Sequence, residues 1–598
     1  MNAVAAVSGA GGAAAAGAAV ASILDRMPAR GAGHRVIIDD ALGAIGAAGR
    51  SPASGSVACE ALLAGDLRLD NGADVRRTLG LDPAATDAAT ALAAFARWGV
   101  EFARHLAGDF AFVIVDRRNA RMIAVRDPLG IRPLYYRRGA TTLRIASELC
   151  ALVESGDAAD EGFLAEALGG DLVDLEGTPY AAIRRVPAAH VLVAGASSVR
   201  LVRYWQPAPE VMQGSPADHA ERFRDVFDEA VRACCEGEPR VGVHLSGGLD
   251  SSSVLGSVMA NAFATPVAAA NVLPWPDADE RTWIDAAAAH WSITPILVEP
   301  PVAPAAHDLG AIRTHRDLPD IPAGGPLLAP LHRALRDEGL AIVLTGFGGD
   351  QWWSGESAHM ADLLGRLRFG ALWQWRQAGS AMGGAAWSWP GFASNGVLPH
   401  VPASAKRLVR RFVPARLPPW VDPAFAARVA LADRLRQRPD TRNAPSESWR
   451  HLRWRLGSGE EALSKERLDR MAVAHGVELR HPLYDRRLVE LAFATPDSAR
   501  LAGGRNRAVM RDAMRGRLAP ATRARATKAE LSQVLIAAAR APDLEPYLTL
   551  PRLSALGWIN RHAAAGIVDD ARRCGDIATA GTFWSLIGVE AWLTDAFR

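Results

Sequence analysis

Apolar and polar positions change their rhythm about a third of the way along the 598-residue chain. Before residue 205 the apolar runs are short and are separated by turn-forming residues, which is typical of β structure. Two of these runs flank the turn-like Arg117-Arg118-Asn119 and predict a hairpin. The predicted strands are 110–115, 122–125, 143–146 and 191–193.

Strands alternate with helices after a polar, proline-containing segment at 207–216, which we predict to be a linker. Helical spacing of apolar residues and compact apolar runs distinguish the two kinds of element. Such alternation predicts a parallel sheet that is covered by helices on both faces. The predicted helices are 220–233, 252–262 and 282–290, and the predicted strands are 241–245, 267–272, 296–298 and 341–344.

The change of rhythm predicts two domains, at 1–205 and 206–598, because a chain of this length is too long for one core. Within the second domain, a segment at about 355–455 follows neither pattern and is rich in Trp and Arg. We predict that it is an insertion of helices and loops. From residue 460 onward the pattern is mostly helical.

Composition argues against several kinds of partner. Sixty-seven basic and 65 acidic residues leave a formal charge of +2, so we expect neither nucleic acid nor an anionic membrane as partner. No apolar run is long enough to span a bilayer. The five cysteines lack CxxC spacing and suggest neither a disulfide framework nor a zinc site, so we expect a cytoplasmic protein.

A glycine-rich turn follows the predicted strand 241–245 and opens the next helix. Backbone N–H groups at a helix start carry partial positive charge, and glycine lets the backbone approach a phosphate closely. Asp250 fits beside phosphate when Mg²⁺ lies between them. A plain strand-to-helix turn is the alternative. The residues predicted to bind the phosphate groups are Leu245, Ser246, Gly247, Gly248, Asp250, Ser251 and Ser252.

A second turn of the same design, Thr345-Gly346-Phe347-Gly348-Gly349-Asp350, follows the predicted strand 341–344. In a parallel sheet both turns lie at the carboxyl ends of strands, where such folds bind ligands. We therefore expect Gly346 and Gly348 to contact the same phosphate-containing ligand, and Asp350 to share Mg²⁺ with Asp250. The alternative for Asp350 is an N-cap on the next helix.

These two segments resemble the SGGxDS and GxGxD motifs of the asparagine-synthetase-like ATP-pyrophosphatase superfamily, whose members cut ATP between the α and β phosphates. The resemblance implies an α/β synthetase domain with a parallel sheet, of the adenine-nucleotide alpha-hydrolase-like type. It also implies ATP and Mg²⁺ as cofactors. Further matches to the family pattern are Arg470-Met471-Ala472, the segment 476–485 and Arg525-Ala526-Thr527-Lys528.

Three residues of these later segments are candidates for catalysis. The family uses the lysine matched by Lys528 to stabilise charge that develops on the phosphate and at the acyl centre, which implies the same role here. Glu478 and Arg480 would be costly in their mostly apolar stretch if they were unpaired. Glu478 is the candidate for steering or deprotonating the attacking amine, and a structural ion pair with Arg480 is the alternative.

Parts of the first domain resemble the glutaminase domain of asparagine synthetases, at 67–71, 108–112 and 126–136. The resemblance implies an Ntn-glutaminase-like α+β (αββα) domain. A working glutaminase of this kind attacks glutamine with an exposed N-terminal cysteine. The chain begins Met1-Asn2-Ala3 and its first cysteine is Cys59, so we predict a degenerate domain that folds without releasing ammonia.

Without ammonia from glutamine, the activated acid needs another nucleophile, and the simplest is an amine of the substrate itself. β-Lactam synthetases and lasso peptide cyclases are relatives that work in this way. Phe347 stands where the first have Tyr and asparagine synthetases have Glu, and it cannot act as acid or base.

We therefore predict a lasso-peptide-type macrolactam cyclase. Its precursor peptide would be supplied by a leader peptidase and a leader-binding partner. The Trp- and Arg-rich segment suits a peptide, because both residue types are favoured anchors in binding surfaces. A ligase that uses ammonia or a small amine, and an ATP-binding pseudoenzyme that acts as a scaffold, are the alternatives.

Overall fold

In the described part of residues 1–205, the chain forms twelve strands and five α-helices. The computed structural model describes residues 1–9, 12–31, 33–57, 60–195, 198–301, 305–319, 324–377, 388–402, 405, 417–437, 441, 443–526, 529–574 and 577–597. The strands are β1 (Asn2–Ser8), β2 (His34–Asp40), β3 (Gly43–Gly49), β4 (Ala53–Val57), β5 (Ala61–Leu69), β6 (Gly108–Asp116), β7 (Arg121–Arg126), β8 (Tyr135–Arg138), β9 (Leu143–Ala146), β10 (Ile183–Arg185), β11 (His190–Ala194) and β12 (Val199–Arg203). The helices are α1 (Ala13–Asp25), α2 (Pro28–Gly31), α3 (Gly72–Leu79), α4 (Asp87–Trp98) and α5 (Glu161–Gly169).

These strands form two six-stranded antiparallel sheets, in the orders β10-β8-β9-β1-β3-β2 and β12-β11-β7-β6-β5-β4. Apolar side chains such as Val4, Ile45, Leu62 and Val113 fill the space between them. Helix α1 packs on the outer face of the first sheet and α4 on the outer face of the second. This is the four-layer αββα arrangement that the sequence predicts, and β6 and β7 form the predicted hairpin.

A parallel five-stranded sheet organises the rest of the chain, with strand order β15-β14-β13-β16-β17. It confirms the predicted parallel sheet, although the short last strand was not predicted. The strands are β13 (Arg240–His244), β14 (Thr265–Asn271), β15 (Ile296–Val298), β16 (Ile342–Leu344) and β17 (Glu478–Arg480). The first helices around it are α6 (Pro216–Cys235), α7 (Leu249–Asn261), α8 (Arg281–Trp291), α9 (Ala305–His315) and α10 (Gly324–Asp337).

The central strands of this sheet carry the two glycine-rich turns. Strand β13 pairs with β16 in parallel, with Gly242 opposite Val343 and Val243 opposite Leu344. Both strands therefore end at the same edge, and the chain enters a turn from each. Because the predicted strand limits differ from the observed ones by no more than two residues, the turns lie where the sequence places them.

Short helices follow the second turn and include the described part of the Trp- and Arg-rich segment. They are α11 (Gly349–Trp352), α12 (His359–Gly365), α13 (Phe369–Gln377), α14 (Trp389–Phe392), α15 (Pro423–Arg428), α16 (Leu431–Arg434) and α17 (Glu447–Leu456). Further helices of differing length follow. They are α18 (Gly459–Ala474), α19 (Arg486–Ala494), α20 (Asp497–Arg500), α21 (Ala508–Ala513), α22 (Pro520–Ala524), α23 (Ser532–Ala539), α24 (Pro551–Ala555), α25 (Arg561–Cys574) and α26 (Ile577–Ala591).

Helix α18 joins the two halves of the molecule through a buried carboxylate. Glu466 accepts hydrogen bonds from Arg126 at 2.9 Å, from Arg185 at 2.7 Å and from the hydroxyl of Tyr135 at 2.7 Å. Burial alone would raise the pKa of Glu466, but the two guanidinium groups outweigh burial and lower it to about 2. The junction is therefore ionic as well as apolar.

The length and hydropathy of the helices bear on membrane association. Among the helices in the described ranges, none is both long and apolar enough to cross a membrane.

Candidate active site

The two glycine-rich turns touch each other at the carboxyl edge of the parallel sheet. A Cβ atom added to Gly346 would lie 2.5 Å from the backbone nitrogen of Ser251, so only glycine fits there. Gly247 has a φ of +66°, and an added Cβ would lie 2.5 Å from Cβ of Trp283. Both glycines are thus required by close packing, and the second also by its left-handed backbone.

The acids of the two turns meet at one cation. The guanidinium of Arg507 donates hydrogen bonds to the two carboxylate oxygens of Asp250, at 2.6 and 2.8 Å. Its other terminal nitrogen donates to Asp350. Burial lowers the pKa of Arg507, but the two carboxylates outweigh it and hold that pKa above its ordinary value. The structure thus brings Asp250 and Asp350 to one shared partner, and their sharing of Mg²⁺ stays a prediction.

A cavity of about 1030 Å³ opens over the two turns, and we call it the first cavity. Five arginines line it, against three carboxylates among the lining residues that are described. Guanidinium groups bind phosphate oxygens in a fixed planar geometry, so this excess of cations suits a polyphosphate. The lining ionic residues are Asp250, Glu280, Asp350, Arg505, Arg507, Arg511, Arg523 and Arg525.

The residues predicted to bind the nucleotide divide into two groups. One group faces the first cavity, namely Ser246, Gly248, Asp250, Ser251 and Gly346, and Asp350, which is predicted to hold Mg²⁺, lies beside them. The others lie behind them and shape the turns, namely Leu245, Gly247, Ser252 and Gly348. Lys528 lies outside the described residues. Binding of a nucleotide by any of these residues stays a prediction.

Glu478 and Arg480 do not line the first cavity. The carboxylate of Glu478 accepts hydrogen bonds from Arg132 of the first domain at 2.8 Å and from Arg480 at 3.1 Å. It also lies 3.2 Å from the amino group of Met1. Arg480 donates a further bond to the carbonyl of Cys234. The geometry supports the structural ion pair that was the alternative for Glu478, and its role toward an amine stays a prediction.

Phe347 lies on the wall of the first cavity and stacks on Tyr484, with 4.9 Å between the ring centroids. It also makes an edge contact with His481. The ring of His481 forms a 2.6 Å hydrogen bond with the hydroxyl of Thr345, and burial lowers the pKa of His481 to about 4. His481 is therefore neutral near pH 7. It places a titratable side chain next to Phe347, whose own side chain does not titrate.

Sequence reasoning missed several lining residues, among them Glu280, His481, Arg505 and Arg523. A local signal was present for one part of the wall. The segment Gly503-Gly504-Arg505-Asn506-Arg507 combines glycines with two arginines directly before helix α21. Such a loop is a typical anion-binding element, and it could have been noticed beside the other two turns.

Asp250 and Asp350 fit the donor set of Mg²⁺. No group of three or more His, Cys, Asp or Glu side chains in the described ranges could hold a metal ion by itself. Mg²⁺ is usually bound through one or two carboxylates plus the phosphates of a substrate, so two carboxylates suffice. The two acids already share one cationic partner, which shows that a positive charge is accommodated between them.

Two family models match parts of this chain. The model of the asparagine synthase family matches residues 222–594, and that of the glutamine amidotransferase domain matches 76–205. Asparagine synthetase [glutamine-hydrolyzing] 3 of Bacillus subtilis is 29% identical over 173 residues, which are 28% of each chain. Amidase chyE of Penicillium rubens is 26% identical over 305 residues, 47% of this chain and 44% of the relative.

Amidase chry2 of Gibberella zeae is 30% identical over 179 residues, 29% of this chain and 26% of the relative. The chain thus spans less than half the length of each of these relatives. The asparagine synthase model, by contrast, covers well over half of the 598 residues. The chain therefore belongs to the asparagine synthase family.

Proposed function

We propose that this protein is an ATP-dependent carbon–nitrogen ligase that activates a carboxylate as an acyl-adenylate and transfers the acyl group to an amine. The observation that carries the proposal is the meeting of Asp250 and Asp350 at Arg507, on the wall of a cavity lined by five arginines. Family membership supports the reaction type. In this reaction the substrate carboxylate attacks the α-phosphate of ATP, and pyrophosphate leaves.

The residues of the first cavity have separate tasks in this scheme. The start of α7, directly after Gly248, borders the first cavity, where the positive end of the helix suits an anion, and the nearby arginines would offset the charge of that anion. Asp250 and Asp350 would hold Mg²⁺, which when bound neutralises part of the phosphate charge. Arrangement of donors in advance of reaction is the largest single contribution that such a site can make to the rate.

The nucleophile that we propose is the N-terminal amine of a precursor peptide, which would close a macrolactam ring on an Asp or Glu side chain. The acyl-adenylate then gives AMP and an isopeptide bond. Two observations support an internal amine. The first cavity, at about 1030 Å³, lies at the upper end of the range for ligand cavities, and Phe347 offers no acid or base. Holding both groups in one molecule makes the step effectively unimolecular.

The test is a product analysis with the full chain, Mg²⁺, ATP and a candidate precursor peptide, together with its leader peptidase. We expect AMP, pyrophosphate and a cyclic peptide. The cyclic peptide should be lighter by one water than the linear peptide that the leader peptidase leaves. A matched peptide with Gln in place of its acceptor acid should give neither product. The Asp250→Asn variant should abolish pyrophosphate release, whereas Asp512→Asn, in the nearby helix α21, should not. ADP as the nucleotide product would contradict the adenylation itself.

A ligase for ammonia or a small amine is the second candidate, and the glutamine amidotransferase domain model favours it. Incubation with ATP, aspartate and ammonia decides between the two. Asparagine formation would replace the peptide proposal and leave adenylation intact. Tight ATP binding without turnover, with peptides as well as with aspartate, would instead favour a pseudoenzyme.

A further inference from the structure

A second cavity, of about 860 Å³, lies between the first domain and helix α17. Strands of the first domain contribute His190 and Arg203 to its wall, and α17 contributes Trp449, Arg453 and Trp454. None of the residues that line it lines the first cavity. Helix α17 belongs to the Trp- and Arg-rich segment, which takes no part in the chemical steps of the proposed reaction.

Arg453 is the unusual residue of this wall. The residue is only 8% exposed, and among the described residues it has no carboxylate or carbonyl partner. Burial, and then the charge of Arg203, lower its pKa to about 10. A buried charge without a partner is costly, and its place in the last turn of α17 offsets only part of that cost. Within the described ranges, no anion is therefore present to satisfy the donors of this guanidinium.

The other polar groups of the second cavity do not supply that anion. Trp449 precedes Arg453 by four residues on the same helix face, and its buried indole N–H also has no acceptor in the part of the chain that the structure describes. Lys465 is committed to the carbonyl of Leu129. Glu176, the one carboxylate among the described lining residues, accepts from the hydroxyl of Tyr136 at 3.4 Å. The wall thus has an excess of donors.

We propose that the second cavity binds a ligand through a carboxylate group that pairs with Arg453, while the apolar part of the ligand packs on the tryptophans. A guanidinium and a carboxylate match as a planar two-bond pair. Phosphate sites typically use backbone N–H groups at glycine-rich helix starts, as the first cavity does, whereas the second cavity is lined by the end of α17. Trp and Arg are also the residues that most often anchor bound peptides.

The carboxylate can come from an acidic residue of a peptide or from a free small acid, and both have the same recognition chemistry. The position of the second cavity suits a peptide, because helix α18 borders both cavities. Lys465 lines the second and Leu468, less than one turn further along, lines the first. The inference does not depend on the proposed reaction, since binding is measured without ATP.

The test is binding to the full-length protein, followed by tryptophan fluorescence and by thermal unfolding. The probes are an amidated and acetylated hexapeptide with one Asp between leucines, its Asn counterpart, glutarate and inorganic phosphate. We expect the Asp peptide to bind at least about tenfold more tightly than the Asn peptide, because the Asn peptide cannot form the charged hydrogen bond with Arg453. Equally tight binding of glutarate would identify a small acid as the source, and weak binding of glutarate would identify a peptide.

Variants separate a binding role from a structural one. Arg453→Met should weaken binding of the Asp peptide at least tenfold. It should leave the Tm of the free protein unchanged or higher, because the substitution removes an unpaired buried charge. Arg453→Lys should restore part of the binding. Arg450→Met, on the same helix but paired with Glu447, is the control and should bind normally. The proposal is overturned if neither the Asp peptide nor glutarate binds, if phosphate binds better than both, or if Arg453→Met binds like the wild type.

Discussion

The guanidinium of Arg507 holds the carboxylate of Asp250 through two hydrogen bonds, at 2.6 and 2.8 Å, although 257 residues separate them in the chain. The same group reaches Asp350. Arg507 itself has a left-handed backbone, with a φ of +57°, which a non-glycine residue adopts only when its surroundings hold it there. The position between the acids is thus taken by a cation that belongs to the chain.

Arg507 should compete with Mg²⁺ for the two acids. In Arg507→Gln the carboxylates lose their cation, and we expect the free energy of unfolding in metal-free buffer to fall by about 2 kcal/mol. Mg²⁺ should then stabilise the variant more than it stabilises the wild type. Thermal unfolding with EDTA and with Mg²⁺ measures both effects. Arg505→Gln, which removes the exposed pair with Asp512, is the control, and equal stabilisation of all three proteins would contradict the competition.

Glu478 should stabilise the contact between the two halves of the molecule. Glu478→Gln removes the carboxylate that pairs with Arg480 and the nearest of the carboxylates that pair with Arg132. Arg132 keeps longer contacts with Asp66 at 3.5 Å and Asp469 at 3.4 Å. We therefore expect a loss of about 3 kcal/mol of stability, with pyrophosphate release by the folded enzyme unchanged. Denaturant unfolding and a pyrophosphate assay at low temperature measure the two. The partly exposed Glu490→Gln should cost less than about 1 kcal/mol. If Glu478→Gln has normal stability and releases pyrophosphate but forms no amide, Glu478 acts on the attacking amine instead.

Gly346 should be essential because of the space it leaves. A methyl group in Gly346→Ala would meet the nitrogen of Ser251 at 2.5 Å, and relief of that contact separates the two turns by about 1 Å. We expect pyrophosphate release to fall by about 100-fold, since a displacement of that size at a reacting centre has such an effect. Gly566→Ala, on helix α25 with open space around its Cβ position, is the control. A fully active Gly346→Ala protein would mean that the turns need not touch.

His481 should make the protein sensitive to mild acid. Burial lowers its folded-state pKa from 6.5 to about 4, so below pH 6.5 the unfolded chain binds a proton that the folded protein does not. Stability is thus present above pH 6.5 and is lost as the pH falls toward 4. Between pH 7 and pH 5 the wild type should lose about 2 kcal/mol more than His481→Gln. Parallel losses in urea unfolding at the two pH values would show that His481 is not the group responsible.

The amino-acid sequence predicts much of this molecule because the relevant patterns are local. The alternation of short apolar runs with helical spacing gives the strand-turn-helix units at β13 and β16, and each glycine turn lies within ten residues of the strand that leads into it. The parallel sheet and the αββα layering follow from such patterns and from the family motifs. Both acids were therefore identifiable before their surroundings were known.

The tertiary structure alone decides which distant charges become partners. Arg507 meets Asp250 and Asp350, and Glu478 turns to Arg132 of the first domain, because the packing of helices and domains fixes distances that sequence spacing does not contain. The burial of Arg453 was likewise not predictable from the sequence, since no local pattern distinguishes a buried arginine from one in water. The sequence thus determines the loops and their chemistry, and long-range packing determines which charges face the cavities and which join the domains.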